Sequence, residues 1–460
     1  SYGLLIENYP LEEIDHVLKK IESVKSDSII EPLRCDLELL MTEAYFRLAT
    51  HLNAGMLNRD SLWHEFKIKD IDVDMPAYLL GAINNKSVIS SLVKMQPQFR
   101  AYKKLQKHMA IFIKENNDIN TEELRFLSES ADDEERLNFS RNYLLTEHYL
   151  DSVSVTDDSL FAEALKIFQR RHGLIEDGAL GKNTLYAMQI SKREKYETIM
   201  VNLERFRWTN SLPDNYIIVN KAAYRLRAIE NDSIVLTHRV VVGSKTNITP
   251  EISSQIEYMV ANPVWFVPYS ISTKEILPKV KEDVSYLERN NYGVYSKSGE
   301  AIPASDVKWD ELSTENFGYK IRQKPGRSNS LGTIKFIFPN KHSIYLHDTP
   351  SKSFFSRDLR TFSHGCVRVE NPKDLAKYLL EFDQNEVTPD SLDILFDKKI
   401  TKKIFLNNAH PIFLKYYTSE VNEFNEIVFY KDVYGRDLQI SNAIFRLPVD
   451  IRDQIASRGI

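Results

Sequence analysis

The 460 residues are 42% hydrophobic, 27% charged and 11% aromatic, carry a formal charge of −5 and include two cysteines. This apolar content excludes wholesale disorder, and at about 100–200 residues per domain the length predicts several domains. The charge gives no global basic field for nucleic acid and no long apolar run spans a membrane; Cys35 and Cys366 support neither a multi-bridge disulfide framework nor a cysteine zinc cluster.

The chain opens on Ser1 rather than Met, which predicts processing, with any export signal or N-terminal anchor ahead of it. Residues 1–155 predict a helical domain. Only Gly3, Gly55 and Gly81 interrupt it, and apolar residues recur at helical spacing, as in Leu39, Leu40, Tyr45, Phe46 and Leu48, or Leu92, Val93, Phe99, Tyr102 and Leu105. Cys35, beside Leu33, Leu37 and Leu40, is expected to be a buried structural thiol. The acidic stretch Ser128–Arg136 reads as a helix start, with Asp132 and Asp133 in its first turn.

Residues 156–195 predict a compact helical unit. Asp158 or Ser159 can cap a helix with an apolar face of Phe161, Leu165 and Phe168, and Gly173, Gly178 and Gly181 punctuate a turn before a second helix. The spaced residues Ala164-Leu165, Phe168-Gln169, Gly173-Leu174, Asp177-Gly178, Gly181 and Thr184 resemble the repeat of the peptidoglycan-binding domain family. That resemblance implies affinity for bacterial cell wall and no reaction.

From about Tyr196 the period changes. Asn215–Asn220, Ala222–Ile229 and Ser233–Val242 read as strands with a turn at Asn231-Asp232, placing a boundary near 192–200 and a third, β-rich domain over 196–460. Residues of about 268–332 are too long for an ordinary connection and predict a lid or subdomain, with a helix over Ser272–Arg289. Asn371 and Pro372 mark a helix start, and an extension of about 400–460, with a strand-like stretch at Glu426–Tyr430, is expected to complete the third domain.

Thr333–Phe338 and Ser343–His347 flank Pro339-Asn340 as a hairpin. Alternation puts Ile344 and Leu346 on one face, toward the core, and Tyr345 and His347 on the other. Cys366 follows His347 by nineteen residues, within Ser363-His364-Gly365-Cys366-Val367-Arg368, where an extended chain would set His364 and Arg368 on the side of Cys366. A thiol beside an imidazole suits nucleophilic acyl transfer, the ion pair stabilising a thiolate and backbone N–H groups near Gly365 and Cys366 meeting an oxyanion. A buried His347 bonded to a carbonyl and a structural Cys366 would account for the pair equally well.

The His347-to-Cys366 spacing, the string Ser363-His364-Gly365-Cys366 and residues 345–372 (YLHDTPSKSFFSRDLRTFSHGCVRVENP) resemble the YkuD-type L,D-transpeptidase catalytic domain, in its large multi-domain Gram-negative branch. The resemblance implies an α+β multi-domain chain: a helical scaffold, a small helical peptidoglycan-binding domain and a β-rich YkuD-type catalytic domain with an inserted lid. It implies Cys366 as nucleophile, His347 as base, and Ser363, His364 and Gly365 as shaping the site and oxyanion hole, His364 in a structural role. The signature's frequent Asn two places after the cysteine is Arg368 here.

Between Ser351 and Val369 lie Lys352, Arg357, Arg360 and Arg368 against the single acid Asp358, and the lid run Lys320, Arg322, Lys324 and Arg327 has no acid. Such bases suit the carboxylates of peptidoglycan stem peptides, with Arg368 best placed to hold one and Tyr345 and Trp265 as apolar walls. The expected activity is periplasmic 3→3 cross-linking: acyl transfer from a tetrapeptide stem to a diaminopimelate amine, releasing D-alanine. Rival readings are an L,D-carboxypeptidase, lipoprotein anchoring to the wall, and a catalytically idle wall-binding scaffold. Stem peptides and other cell-wall synthesis enzymes are the expected partners. No HExxH or P-loop calls for a metal or nucleotide cofactor.

Overall fold

A computed structural model describes residues 2–57, 73–116, 119, 127–128, 130–152, 157–209, 212–326 and 328–445. The chain divides into two compact units, Ser1–Leu212 with Tyr417–Ile460, and Pro213–Tyr416. Among the described residues no helix is long and apolar enough to cross a membrane.

The first unit is helical. Asp132 caps the helix Asp133–Thr146 through a reciprocal box with Glu135, the acidic start read from the sequence. Asp157, one residue before the expected cap, accepts from the N–H groups of Ser159 and Leu160 at the head of the helix Asp158–Arg171. Phe161, Leu165 and Phe168 bury their face against Tyr143, Leu144, Ala187 and Met188, so the small module borrows core from the preceding helix. Its motif residues form one network. The buried Gln169 amide donates to Asp177 Oδ1 (2.7 Å) and the Ala179 carbonyl (3.0 Å), and its oxygen accepts from the Gly178 N–H (2.9 Å).

Cys35 is exposed, against expectation. On the helix Asp27–Ala54 the buried positions are Tyr45, Ala49 and Leu52, so the half that carries Cys35 fully buries no side chain. The period change also comes later than expected. Ser191 and Glu194 form a capping box that starts the helix Lys192–Arg207, and this helix belongs to the first unit. Residues from Tyr417 onward return to that unit instead of completing the third domain. Thr418 bonds both ends of the Asn202 amide (2.8 and 2.9 Å), and Asp437 pairs with Arg205. The expected strand near 426–430 is Ile427–Phe429, paired with Ser419–Val421.

The second unit is built on β1 (Asn215–Asn220), β2 (Arg225–Glu230), β3 (Ser233–Gly243), β4 (Ile252–Ala261), β5 (Trp265–Phe266), β6 (Tyr292–Tyr295), β7 (Ala301–Ile302), β8 (Lys320–Gln323), β9 (Ile334–Ile337), β10 (Leu346–His347), β11 (Thr361–Ser363), β12 (Val367–Val369) and β13 (Lys402–Lys415). Nine strands form one sheet in the order β11-β3-β12-β10-β9-β4-β13-β1-β2, and β2 also pairs with β3, so the sheet closes on itself. Its interior holds Val219, Leu226, Val240, Ile256, Phe336, Leu346, Val367 and Leu414. The insertion between β4 and β9 carries its own four-stranded sheet, β5-β8-β6-β7, and its own core of Ile276, Val280, Leu287, Val294, Trp309 and Ile321. It is a folded subdomain with independent apolar support.

Candidate active site

The β9–β10 hairpin forms as read from the sequence, its turn tied by Asn340, whose amide donates to the carbonyls of Phe338 and Ile344 and whose oxygen accepts from the N–H groups of His342 and Ile344. Ile344 and Leu346 are buried, and Tyr345 and His347 share the other face. That face is not open at His347, which is only 6% exposed.

Register assembles the site. β10 lies parallel to β12 with His347 opposite Arg368, and antiparallel to β9 with His347 opposite Lys335. Residues in register point to the same side of a sheet. One row therefore reads Lys335, His347, Arg368 across three adjacent strands, and the row beside it holds Tyr345 with Cys366. The Tyr345 hydroxyl donates to the Cys366 sulfur, and the Trp265 indole on β5 in turn donates to that hydroxyl. Trp265 itself is buried, 8% exposed.

The turn that carries Cys366 is not extended. Gly365 has φ +116°, a conformation other residues rarely adopt, and a Cβ there would sit 3.1 Å from Ile344 Cδ1. This bend breaks the alternation expected to carry His364 to the side of Cys366. His364 instead pairs through Nε2 with Glu275 of the lid at 2.7 Å, outside the thiol's hydrogen-bonding set. Ser363 Oγ donates to the Cys366 carbonyl (2.5 Å) and accepts from the Gly365 N–H (3.1 Å), so the Gly365 amide is already engaged. Thr249 Oγ1 donates to the Gly365 carbonyl (2.7 Å) and accepts from the Gly243 N–H (2.8 Å), anchoring the turn to the end of β3.

Electrostatics set the protonation states. His347 Nδ1 donates to the Asp348 carbonyl, which leaves Nε2 as the lone-pair nitrogen. Burial, with Arg368 and Lys335 beside it, holds the imidazole down to about 3. Burial pushes the Cys366 thiol up, opposed by the Tyr345 N–H and hydroxyl, then by Arg368 and Lys335. Both partners therefore rest neutral, and the expected thiolate–imidazolium pair is not the resting state.

The basic runs largely resolve into structure. Arg360 is buried, donates to the Arg357 carbonyl at 2.6 Å, and is lowered to about 10 by burial. Arg357 lies over the stacked Phe354 and Phe362, Lys352 pairs with Asp348, and Arg322 lies over Phe266 and Tyr295. Arg327 lies outside the described residues. Arg368 remains at the site, 5.8 Å from the Phe354 ring centre. Sequence reading missed Lys335, Thr249 and Glu275. Lys335 had a signal, a charged residue at an alternate position of the apolar strand Ile334-Lys335-Phe336-Ile337. Among the described residues no group of three or more His, Cys, Asp or Glu converges as a metal site would require.

Comparison with known proteins agrees with these motifs. The L,D-transpeptidase catalytic domain of YkuD type matches residues 214–388, a "Putative peptidoglycan binding domain" matches 137–188, and a scaffold domain matches 1–109. A Haemophilus influenzae protein named "Putative L,D-transpeptidase" is 33% identical over 275 residues, 57% of this chain and 55% of that protein. The match thus spans about half the length of that curated relative. Solved structures resembling the chain include an L,D-transpeptidase from Stackebrandtia nassauensis (13% identity, 64% of this chain and 97% of that one, TM-score 0.24). Another is an L,D-transpeptidase from Mycobacterium smegmatis (14% identity, 45% and 60%, TM-score 0.20). At such low overlap the assignment rests on the sequence matches: the chain contains an L,D-transpeptidase catalytic domain of the YkuD type together with a peptidoglycan-binding domain.

Proposed function

We propose that this chain is a periplasmic L,D-transpeptidase that forms 3→3 peptidoglycan cross-links through a thioester on Cys366. The carrying observation is the pairing of β10 with β12, which sets the thiol beside the Tyr345 hydroxyl and one row from a neutral imidazole. His347 Nε2 takes the thiol proton as Sγ attacks the carbonyl of the third stem residue, a diaminopimelate. The tetrahedral intermediate collapses with cleavage of the C–N bond, and the proton held by His347 goes to the departing D-alanine amine. The side-chain amine of a second stem then attacks the thioester, loses a proton to His347 and returns the thiol. Ser363, Thr249 and Gly365 hold the turn that presents Sγ, and Arg368 faces the donor's carboxylate. The lid subdomain limits access of water, so that an amine competes as acceptor. The peptidoglycan-binding module raises the local concentration of wall.

Incubation with disaccharide-tetrapeptides, followed by tandem mass spectrometry, tests this reading. Cross-linked dimers are expected; tripeptides alone would make water the acceptor, and no turnover would leave a wall-binding scaffold. Carbapenem-type β-lactams are expected to add one mass equivalent to wild type and none to Cys366→Ala. An adduct that persists in the variant would remove Cys366 as nucleophile.

A further inference from the structure

Lys335 and Arg368 flank His347 in one row of the sheet, on β9 and β12. Strands lie about 4.8 Å apart, so the two backbones are about 10 Å apart and both long side chains reach the same ground over the imidazole. Both are half-buried. Among the described residues neither has a carboxylate within ion-pair distance. The acids nearest them in sequence are engaged elsewhere: Asp348 is spent on the N–H groups of Thr333 and Thr349, the Thr333 hydroxyl and Lys352, and Glu370, two residues from Arg368, pairs with Arg239. Arg368 Nε is buried without a hydrogen-bond partner. The Lys335 ammonium lies 5.6 Å from the Tyr345 ring centre, and both cations are lowered by burial, a shift that a Cys366 thiolate would oppose. Two desolvated cations without a counter-charge are costly to keep unless an anion completes them.

We propose that Lys335 and Arg368 together form a carboxylate subsite that takes the free terminal carboxylate of the donor residue immediately after the scissile bond. This rests on the acyl-transfer reading above and adds what selects the donor. Cys366 immediately precedes β12 and lies two residues before Arg368, so the two are at most about 7 Å apart along the chain. A carbonyl at Sγ thus leaves the carboxylate of the next residue, about 3.8 Å further along the substrate chain, near the cation row. The guanidinium presents a planar fork and the ammonium a point charge, so one carboxylate can bridge them. A donor extended by one residue, or amidated at its end, would bring a neutral group to two half-buried cations and be disfavoured. Lys335 is then a specificity-determining residue that the YkuD signature at Cys366 does not contain.

The test compares a tetrapeptide donor with a free C-terminal carboxylate and the same donor amidated, on the full chain as wild type, Lys335→Met and Lys335→Arg. Wild type is expected to favour the free acid in kcat/KM by about tenfold or more, the scale of one charge-assisted hydrogen bond. Lys335→Met should lose most of that preference through KM for the free acid, and Lys335→Arg should restore it. A Lys335→Met variant with both donors slowed in proportion and the preference intact would assign the lysine a packing role and overturn the proposal. So would a variant whose only loss is in iodoacetamide alkylation of Cys366, which would make Lys335 a tuner of the thiol. If wild type turns over both donors equally, the subsite falls and the reaction stands. If it turns over neither, the reaction itself falls and takes the subsite with it.

Discussion

A histidine between two cations cannot serve as the standing counter-ion of a thiolate. His347 is held down to about 3, so it is neutral around neutral pH, and under the proposed mechanism it takes a proton only while the thiol attacks. At rest the sulfur meets the hydroxyl and N–H of Tyr345 and donates to the Ser343 carbonyl at 3.9 Å. Tyr345→Phe removes the hydroxyl donor and leaves burial less opposed, so the thiol rises further. Alkylation of Cys366 by iodoacetamide at pH 7 should slow about tenfold, as expected for losing one charge-assisted hydrogen bond. An unchanged rate–pH curve would show that the phenol does not stabilise the thiolate. In the wild type the curve should climb toward alkaline pH with the raised thiol, without a histidine inflection near 6.5.

Among the elements, glycine-rich motifs were the most legible and the most easily misread. The repeat around Gln169 looks like a ligand signature, yet its residues bond one another: the amide closes the turn through Asp177, Gly178 and Ala179. The repeat is conspicuous because a tight turn has few chemical solutions, so it reports a fold. Gln169→Ala should cost about 2–4 kcal/mol from several lost bonds and unsatisfied turn groups, measured as a lower unfolding midpoint. A midpoint within error of wild type would make the network dispensable. By contrast, β13 was invisible as a strand. A register shift between Phe405 and His410 interrupts its alternation, and Pro411 within it reads as a breaker. The helix Lys192–Arg207 was missed for another reason. It is buried on nearly every side, including Asn202, Glu204, Arg205 and Arg207, so no polar stripe marks its period.

At the scale of the whole chain, burial of histidine ties both units to pH. His51 is lowered to about 4 by burial in the first unit, and buried His172 is held well below its ordinary value. In the second, burial lowers His347 to about 3 and His410 to about 4. Each folded value is depressed, so the stabilisation is fully present above the unfolded value near 6.5 and is lost as pH falls from there toward the folded values. Calorimetric melting of both units should therefore move to lower temperature between pH 7 and pH 5. A melt independent of pH across that interval would contradict the buried neutral imidazoles. The sequence by itself determined the motif around Cys366, the hairpin that presents His347, the glycine at the Cys366 turn and the presence of three kinds of module. Each is written in short-range spacing, which local backbone geometry obeys. Tertiary structure decided where the modules end, returning residues after Tyr416 to the helical unit, because Thr418 and Asp437 find their partners at Asn202 and Arg205. It alone brought Lys335 to His347, Tyr345 to Cys366 and Glu275 to His364. Register between strands depends on contacts distant in sequence, and a single-residue slip would send Lys335 or Tyr345 to the opposite face.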